Sequence, residues 1–416
     1  MEPFGHSASA HAPRDTAHGE PTWHLQVHDS LQSVSASTWQ SLWLRSPQPT
    51  PFMHHAWLSA LERHGCATPD TGWQPLVLTA HAALPPQAHT TTPAPPQAAC
   101  VAWLKSHSHG EFVFDWAWAQ AYERHGLAYY PKLVVASPFS PVPGSRLLGE
   151  HPGARQALLH GLRQLTLQEG WSSAHVLFLD DEERAWATQA EAHASGWMLR
   201  RNVQFHWQQP AARWPDMEAF LGSLQRDKRK KIQQERRKVR EAGVTVQALQ
   251  GHEITEADWD FFFTCYANTY HVRGQRPYLN RAFFREVAHT MPEHWLMFTA
   301  SRQGRPVASA LLVCDLPRRT VWGRHWGCVE EVPCLHFELC YYAPLQWCIE
   351  HGIDRFEGGA QGEHKMARGF SPVDTWSAHW LADPRFASAV DDFLAREREG
   401  VAAYVDELTD RSPFKG

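Results

Sequence analysis

Between residues 355 and 370 the chain reads RFEGGAQGEHKMARGF, a stretch that concentrates groups able to move protons and hold negative charge. Lys365 is a movable cation, with Glu357, Glu363 and His364 as acid–base neighbours. Glycines at 358, 359 and 362 let backbone approach a ligand closely. Successive N–H groups in such a loop form an anion-binding concavity. Gly359, Gln361, Gly362, His364 and Arg368 are therefore candidate substrate contacts. The spacing is not a Walker A loop, because no Gly-Lys-Ser/Thr is present and no helix pattern of the right kind follows directly. A tight structural turn is the plain alternative.

Three further constellations carry chemistry. From Arg226 to Glu241 there are nine Lys/Arg against three acids. Leu221, Leu224, Ile232 and Val239 fall on or near one helical face, leaving the cations outward. Such a helix is either a solvated surface or a polyanion site, since like charges around one turn repel unless phosphate or carboxylate compensates. Lys228, Arg229, Lys231 and Arg236 are the candidate contacts to donor phosphates. Segment 104–133, LKSHSHGEFVFDWAWAQAYERHGLAYYPKL, is too polar and aromatic for a plain core element. Lys105, His107, His109, Glu111, Asp115, Trp116, Tyr130 and Lys132 suit a pocket rim that stacks and hydrogen-bonds an organic ligand. His107 and His109 alternate as strand neighbours do, yet no spacing fixes a third ligand, and no metal is expected. In TVWGRHWGC, alternation puts Trp322, Arg324 and Trp326 on one face and His325 on the other. Glu338 lies in the apolar helical run CLHFELCYYAPLQWCIEHG, where it is buried and paired or faces a cavity. Pro344 should bend or restart that helix.

These groups need a scaffold larger than one ordinary domain, and 416 residues supply two. Hydrophobic content of 43% and charged content of 20% describe a globular chain with a sizeable core. A formal charge of -5 gives no overall pull toward nucleic acid. The eight cysteines include no Cys-x-x-Cys pair, as expected of reduced thiols in a cytoplasmic chain. No secretory signal and no apolar run of roughly 18 residues is present, so no transmembrane segment is expected. Residues 1–20 read as a disordered lead. Residues 21–200 read as one α/β domain carrying a flexible Pro-rich loop at 81–99, and 201–385 as a second, with helix and tail over 386–416. The elements alternate, as in the helical ARQALLHGLRQLTLQEG followed by the strand SAHVLFL. The basic helix is expected over 221–243, ending at Gly243.

Read in order, RDKRKKIQQERRKVREAGVTV, FFFTCYANTYHVRG, GRPVASALLV and the closing LQWCIEHGIDRFEGGAQGEHKMARGF resemble the Fem-type peptidyltransferases. These are tandem-GNAT proteins that attach amino acids to peptidoglycan precursors. HSHGEFVFDWAWA, YYPKL, LHFELCYY and GGAQGEHK are similar to FemAB-like N-acyltransferases, over roughly residues 34–400. The resemblance implies two GNAT-like domains, each a mixed sheet flanked by helices, and acyl transfer to an amine. It implies that Lys365, in the family's Phe-Lys position, lies at the reaction centre, with His364 replacing the aromatic residue. Glu357 stands where the family carries Asp.

The expected chemistry is transfer from an acyl-CoA or aminoacyl-tRNA to an amine, on a cell-wall precursor or small metabolite, with no prosthetic group. Lys365 and N–H groups around Gln361 and Gly362 would stabilise the oxyanion, and Glu338 or Glu357 would deprotonate the acceptor. Residues 105–132 and the stretch SPFSPVPGSR would help seat the acceptor in an interdomain cleft. Two rivals are a non-catalytic tRNA or polyanion binder using helix 226–240 and a metal-dependent hydrolase using the His-rich segments.

Overall fold

The computed structural model describes residues 22–83, 94–189, 195–360 and 362–415 of the chain. Strand β1 (Trp23–His28) precedes helices α1 (Ala36–Leu44) and α2 (His55–Arg63), then strands β2 (Trp73–Ala82) and β3 (Pro96–Lys105). Next come α3 (Trp116–Arg124), β4 (Lys132–Val135), α4 (Pro152–Gln168), β5 (Ser173–Leu177), α5 (Asp181–Ala187) and β6 (Met198–Gln208). The second half continues with α6 (Met217–Ser223), α7 (Arg226–Glu241), β7 (Val244–Gln250), α8 (Glu256–His271) and α9 (Arg281–Thr290). Strands β8 (Trp295–Arg302), β9 (Arg305–Asp315) and β10 (Thr320–Cys328) follow. Helix α10 (Leu335–Phe337) runs into a π-helical turn (Glu338–Tyr342) and resumes as α11 (Ala343–Glu350). Strand β11 (Arg355–Glu357), a 3₁₀ turn (Glu363–Arg368), β12 (Ser371–Leu381) and α12 (Pro384–Asp410) complete the order.

Two compact units result: the chain up to Arg201 with Thr375–Glu399, and Asn202–Asp374 with the chain from Gly400. Each is a mixed sheet flanked by helices, as expected. In the first unit the strand order is β1-β2-β3-β4-β5-β12, antiparallel except for the parallel pair β4/β5. Leu158 and Leu162, one helical turn apart on α4, pack on Leu78, Cys100, Leu133 and Val176 of the strands. In the second unit the order is β6-β11-β10-β9-β8-β7, again with one parallel pair, β10/β11. One face packs Trp207, Phe356, Val321 and Leu312 against Ile232 and Val239 of α7. The other carries an aromatic layer in which Phe262 and Tyr266 of α8 and Phe284 of α9 surround His325.

Several expectations change. The basic helix starts later than expected, because Leu224 swings into extended backbone (ψ 154°) and divides 217–241 into α6 and α7. The C-terminal tail pairs there, with Gln225 N–H donating to Pro413 O at 2.8 Å. Gly243 ends the helix with φ +72°, as the sequence indicated. Pro344 lies in the first turn of α11, directly after the π-helical turn, and the backbone stays helical through Tyr342 and Ala343, so the helix neither breaks nor restarts but changes its hydrogen-bond register there. On β10 the ladder slips between Gly323 and His325, and Arg324 is the extra residue of a bulge. The slip undoes the expected alternation: Trp322 and His325 share one face, and Trp326 lies on the other with His336. Finally, SPFSPVPGSR is a buried strut, with Ser145 and Arg146 at 0% exposure, and its side chains are not free to seat an acceptor.

Candidate functional site

The parallel pair in the second unit opens into a fork. Strands β10 and β11 pair at Thr320↔Arg355, Val321↔Phe356 and Trp322↔Glu357, and the pairing then stops. Strand β10 continues through its bulge, while the other arm leaves through Gly358 and Gly359. The carboxyl ends of parallel strands, where neighbours part, are the usual ligand position in α/β sheets.

Both leading candidates sit at this fork, on opposite faces. Lys365 is 2% exposed and lies across Gly358, where an added Cβ would be 3.2 Å from Lys365 Cδ. Its Nζ donates to Gly359 O at 2.7 Å. Burial pulls the Lys365 ammonium down to about 8. Glu357 points the other way, beside its cross-strand partner His206. His206 Nε2 is 3.8 Å from Glu357 Oε2 and 3.2 Å from Gln204 Oε1. Arg355 Nε reaches 3.2 Å from Glu357 Oε1, but the approach is off-axis. Neither carboxylate oxygen of Glu357 has a hydrogen bond among the described residues, although the side chain is buried. Such a group is able to accept a hydrogen bond from a bound molecule.

The 3₁₀ turn is held from several sides. Arg368 donates to His364 O at 2.6 Å and to Glu235 Oε2 at 3.0 Å, and stacks on Phe337 at 3.6 Å. The Tyr342 hydroxyl donates to the same Glu235 oxygen. Glu363 accepts from the Tyr404 hydroxyl at 2.7 Å. His364 is exposed and bonds Tyr341 through Nε2 at 3.1 Å. An added Cβ at Gly362 would sit 2.4 Å from the His364 ring, so only glycine leaves that imidazole its place. Gln361 lies outside the described residues.

Helix α7 divides its charges. Glu235, Ile232 and Val239 face inward, and Arg236, expected among the outward phosphate contacts, turns onto Glu338. Its bonds to the Glu338 carboxylate are 3.0–3.2 Å long, and a further one reaches Gln346. Glu338 is thus the buried and paired residue of the two options the sequence left. Lys230, Lys231, Lys238 and Arg240 remain exposed, Arg229 is half-buried, and Lys228 pairs with Asp227 at 2.9 Å. Arg324 is packed near Tyr270, Tyr266 and Glu357, and burial lowers it to about 10 against their pull. Burial drives His325 well below the usual range, as befits an imidazole in the aromatic layer.

The first-unit candidates also converge, but on one another. Lys132, with 0% exposure, donates to Ser108 Oγ and Glu111 Oε2 at 2.8 Å each and to Asp115. Tyr129 donates to the same Asp115 oxygen at 2.6 Å. Burial pushes Glu111 up to about 7 despite Lys132. Burial works to raise Asp115 too, but Lys132 and His175 outweigh it and hold it at about 2. Lys105 lies 3.4 Å over the Trp73 ring, and burial lowers it to about 7. Tyr130 bonds Ser108 at 2.8 Å, while His107, His109 and Trp116 form an outer aromatic row. Among the described residues no group of three His, Cys, Asp or Glu is placed to hold a metal ion.

Sequence reasoning missed His206, Glu235, Tyr341 and His336. Only Glu235 left a signal, as the acid four residues from Val239 and three from Ile232 on the apolar side of a basic helix.

A family profile described as peptidoglycan biosynthesis/recognition matches residues 30–416. No curated protein matches the chain. Among solved structures, a tandem GNAT protein from the clavulanic acid biosynthesis pathway is 12% identical, with 87% of this chain and 99% of that one covered and a TM-score of 0.45. A conserved protein of unknown function from Bacteroides thetaiotaomicron is 9% identical over 86% and 99%, TM-score 0.47. The L-PGS structure from Bacillus licheniformis is 11% identical over 72% and 86%, TM-score 0.44. Among the described residues no helix is long and apolar enough to cross a membrane.

Proposed function

Since this chain belongs to the FemAB-like family, with its profile spanning residues 30–416, we propose that it is an N-acyltransferase. It moves an acyl or aminoacyl group from an activated donor to an amine. The observation that supports this most is Lys365: a buried ammonium at a strand fork, offered one backbone carbonyl and, among the described residues, no carboxylate hydrogen bond. A developing oxyanion is the ligand such a cation lacks.

In the proposed step the acceptor nitrogen attacks the donor carbonyl carbon. A C–N bond forms, and the C–S bond of a thioester or the C–O bond of an ester breaks. Lys365 hydrogen-bonds the carbonyl oxygen while it carries charge. The proton shed by the amine passes through water to Glu357, which faces the other side of the fork with His206 beside it, and the leaving thiolate or alkoxide takes up a proton. Glu338 is a poorer base, because Arg236 occupies its carboxylate. Exposed cations of α7 suit the phosphates of acyl-CoA or aminoacyl-tRNA, and the acceptor is an amine of a cell-wall precursor or a small metabolite.

Lys365→Ala tests the reading. Transfer, assayed with acyl-CoA and aminoacyl-tRNA donors, should fall by about 10²–10³ while the melting temperature holds, since one oxyanion donor is removed. Undiminished transfer in that variant sinks the role of Lys365. The outward cations of α7 also favour a second reading, a polyanion binder without chemistry. Steeply salt-dependent RNA binding with no turnover on any acyl donor would select it.

A further inference from the structure

Four basic side chains meet beside the π-helical turn: His336 from α10, and His364, Lys365 and Arg368 from the 3₁₀ turn. The two imidazoles each pack 5.8 Å from the Tyr341 ring, and His336 also rests on Trp326 at 5.1 Å. They feel one another as charges: burial, then His364, Arg368 and Lys365, lower His336 to about 4. Burial, then Arg368 and Lys365, lower His364.

Little among the described residues neutralises this group. Glu235 pairs with Arg368. The nearby Glu363 carboxylate is taken by Tyr404 and faces Arg411 at 3.7 Å. Tyr341, Tyr342 and Cys340 are further titratable neighbours, and burial keeps all three protonated. Among the described residues no acceptor meets the Arg368 Nε–H, and the side chain is only 2% exposed. Gly362 keeps open the space that the His364 ring fills. Clustered basic groups with one counter-charge are unfavourable unless an anion joins them.

We propose that His336 and His364, backed by Lys365 and Arg368, form a binding subsite for an oxyanion, the carboxylate or phosphate of a substrate. That the anion belongs to a substrate rests on the proposed transfer; the binding itself does not. An anion bound here favours the protonated imidazoles, so it enters with uptake of protons and binds more tightly as pH falls.

Equilibrium dialysis of the full-length protein with labelled inorganic phosphate, and separately with labelled acetate, tests this at about pH 6 and about pH 8. At least one anion should bind, roughly five- to tenfold more tightly at the lower pH. His364→Gln, an exposed change that does not threaten folding, should weaken binding roughly tenfold and flatten the pH dependence. His336→Gln should do the same, with melting curves checking that it folds. Which anion binds better identifies the source as phosphate or carboxylate. Binding of neither, binding indifferent to pH, or equal binding by wild type and His364→Gln overturns the subsite. Transfer that survives Lys365→Ala would sink the reaction and leave this result standing.

Discussion

Lys132 and Lys365 are both buried lysines at an end of a parallel strand pair, one in each unit, and their surroundings are opposite in kind. Lys132 begins β4 and is met by two carboxylates, Glu111 and Asp115. Burial works against its charge, and those two acids more than offset it. Lys365 follows β11 and, among the described residues, is met by a single carbonyl, Gly359 O. The carboxyl ends of the two strand pairs differ in occupancy. In the first unit Arg146 fills it, donating to Leu177 O at 2.9 Å, Gly144 O at 3.1 Å and Val142 O. In the second unit that end is the fork with Glu357 and Lys365. A cation already neutralised is spent on holding the fold, whereas one held by a carbonyl alone stays available to charge that appears during a reaction.

The largest test sets the two lysines against each other. Lys132→Met leaves Glu111 and Asp115 buried without their cation and should cost about 3–5 kcal/mol in urea unfolding. Lys365→Met should cost far less stability while transfer collapses. Equal losses of stability would erase the contrast. Next is the ion pair inside the second unit. Glu338→Gln should destabilise by about 1.5–3 kcal/mol, because hydrogen bonds from a charged donor are among the stronger ones. It should leave most transfer intact, and a loss of transfer as deep as that of Lys365→Ala would return Glu338 to the reaction.

A pH profile sharpens the role of Lys365. Its protonated form is the active one, so kcat/KM should fall as pH rises through about 8, roughly tenfold per unit at the alkaline end. Lys365→Arg should remove that limb, since a guanidinium keeps its proton there. An unchanged limb in the Arg variant would assign the titration to another group. The smallest effects belong to the exposed face of α7. Lys230→Ser and Lys231→Ser should each change stability by less than about 0.5 kcal/mol. Each should also lower the log–log salt slope of RNA binding by roughly 0.7–0.9, if that face meets phosphates.

Much of this was written locally. The helix ending at Gly243 and the strand running into Gly358 and Gly359 follow from residues a few places apart. Arg236 and Arg324 were harder to place. Both sit in patterns that predict outward or alternating side chains, and each is redirected by something distant. Arg236 turns in because Glu338 lies behind it, 102 residues later. Arg324 leaves the alternation as the extra residue of a bulge opposite Leu311 and Leu312. Segment 104–133 shows the same limit. Its unusual polarity was legible, but whether those groups faced a ligand or each other depended on Lys132 reaching back to Ser108, Glu111 and Asp115.

By itself the sequence determined which residues are able to do chemistry, where helices and strands stop, and that the chain resembles one family. Those are matters of residue type and short spacing, which a linear text records directly. Only the tertiary structure decided which charges are cancelled and which are left over. Coulomb energy in a dry interior depends on separations of a few ångströms between groups far apart in the chain, and no local pattern fixes those. His206 beside Glu357, Glu235 under Arg368, and a lysine held by the carbonyl of Gly359 are products of packing.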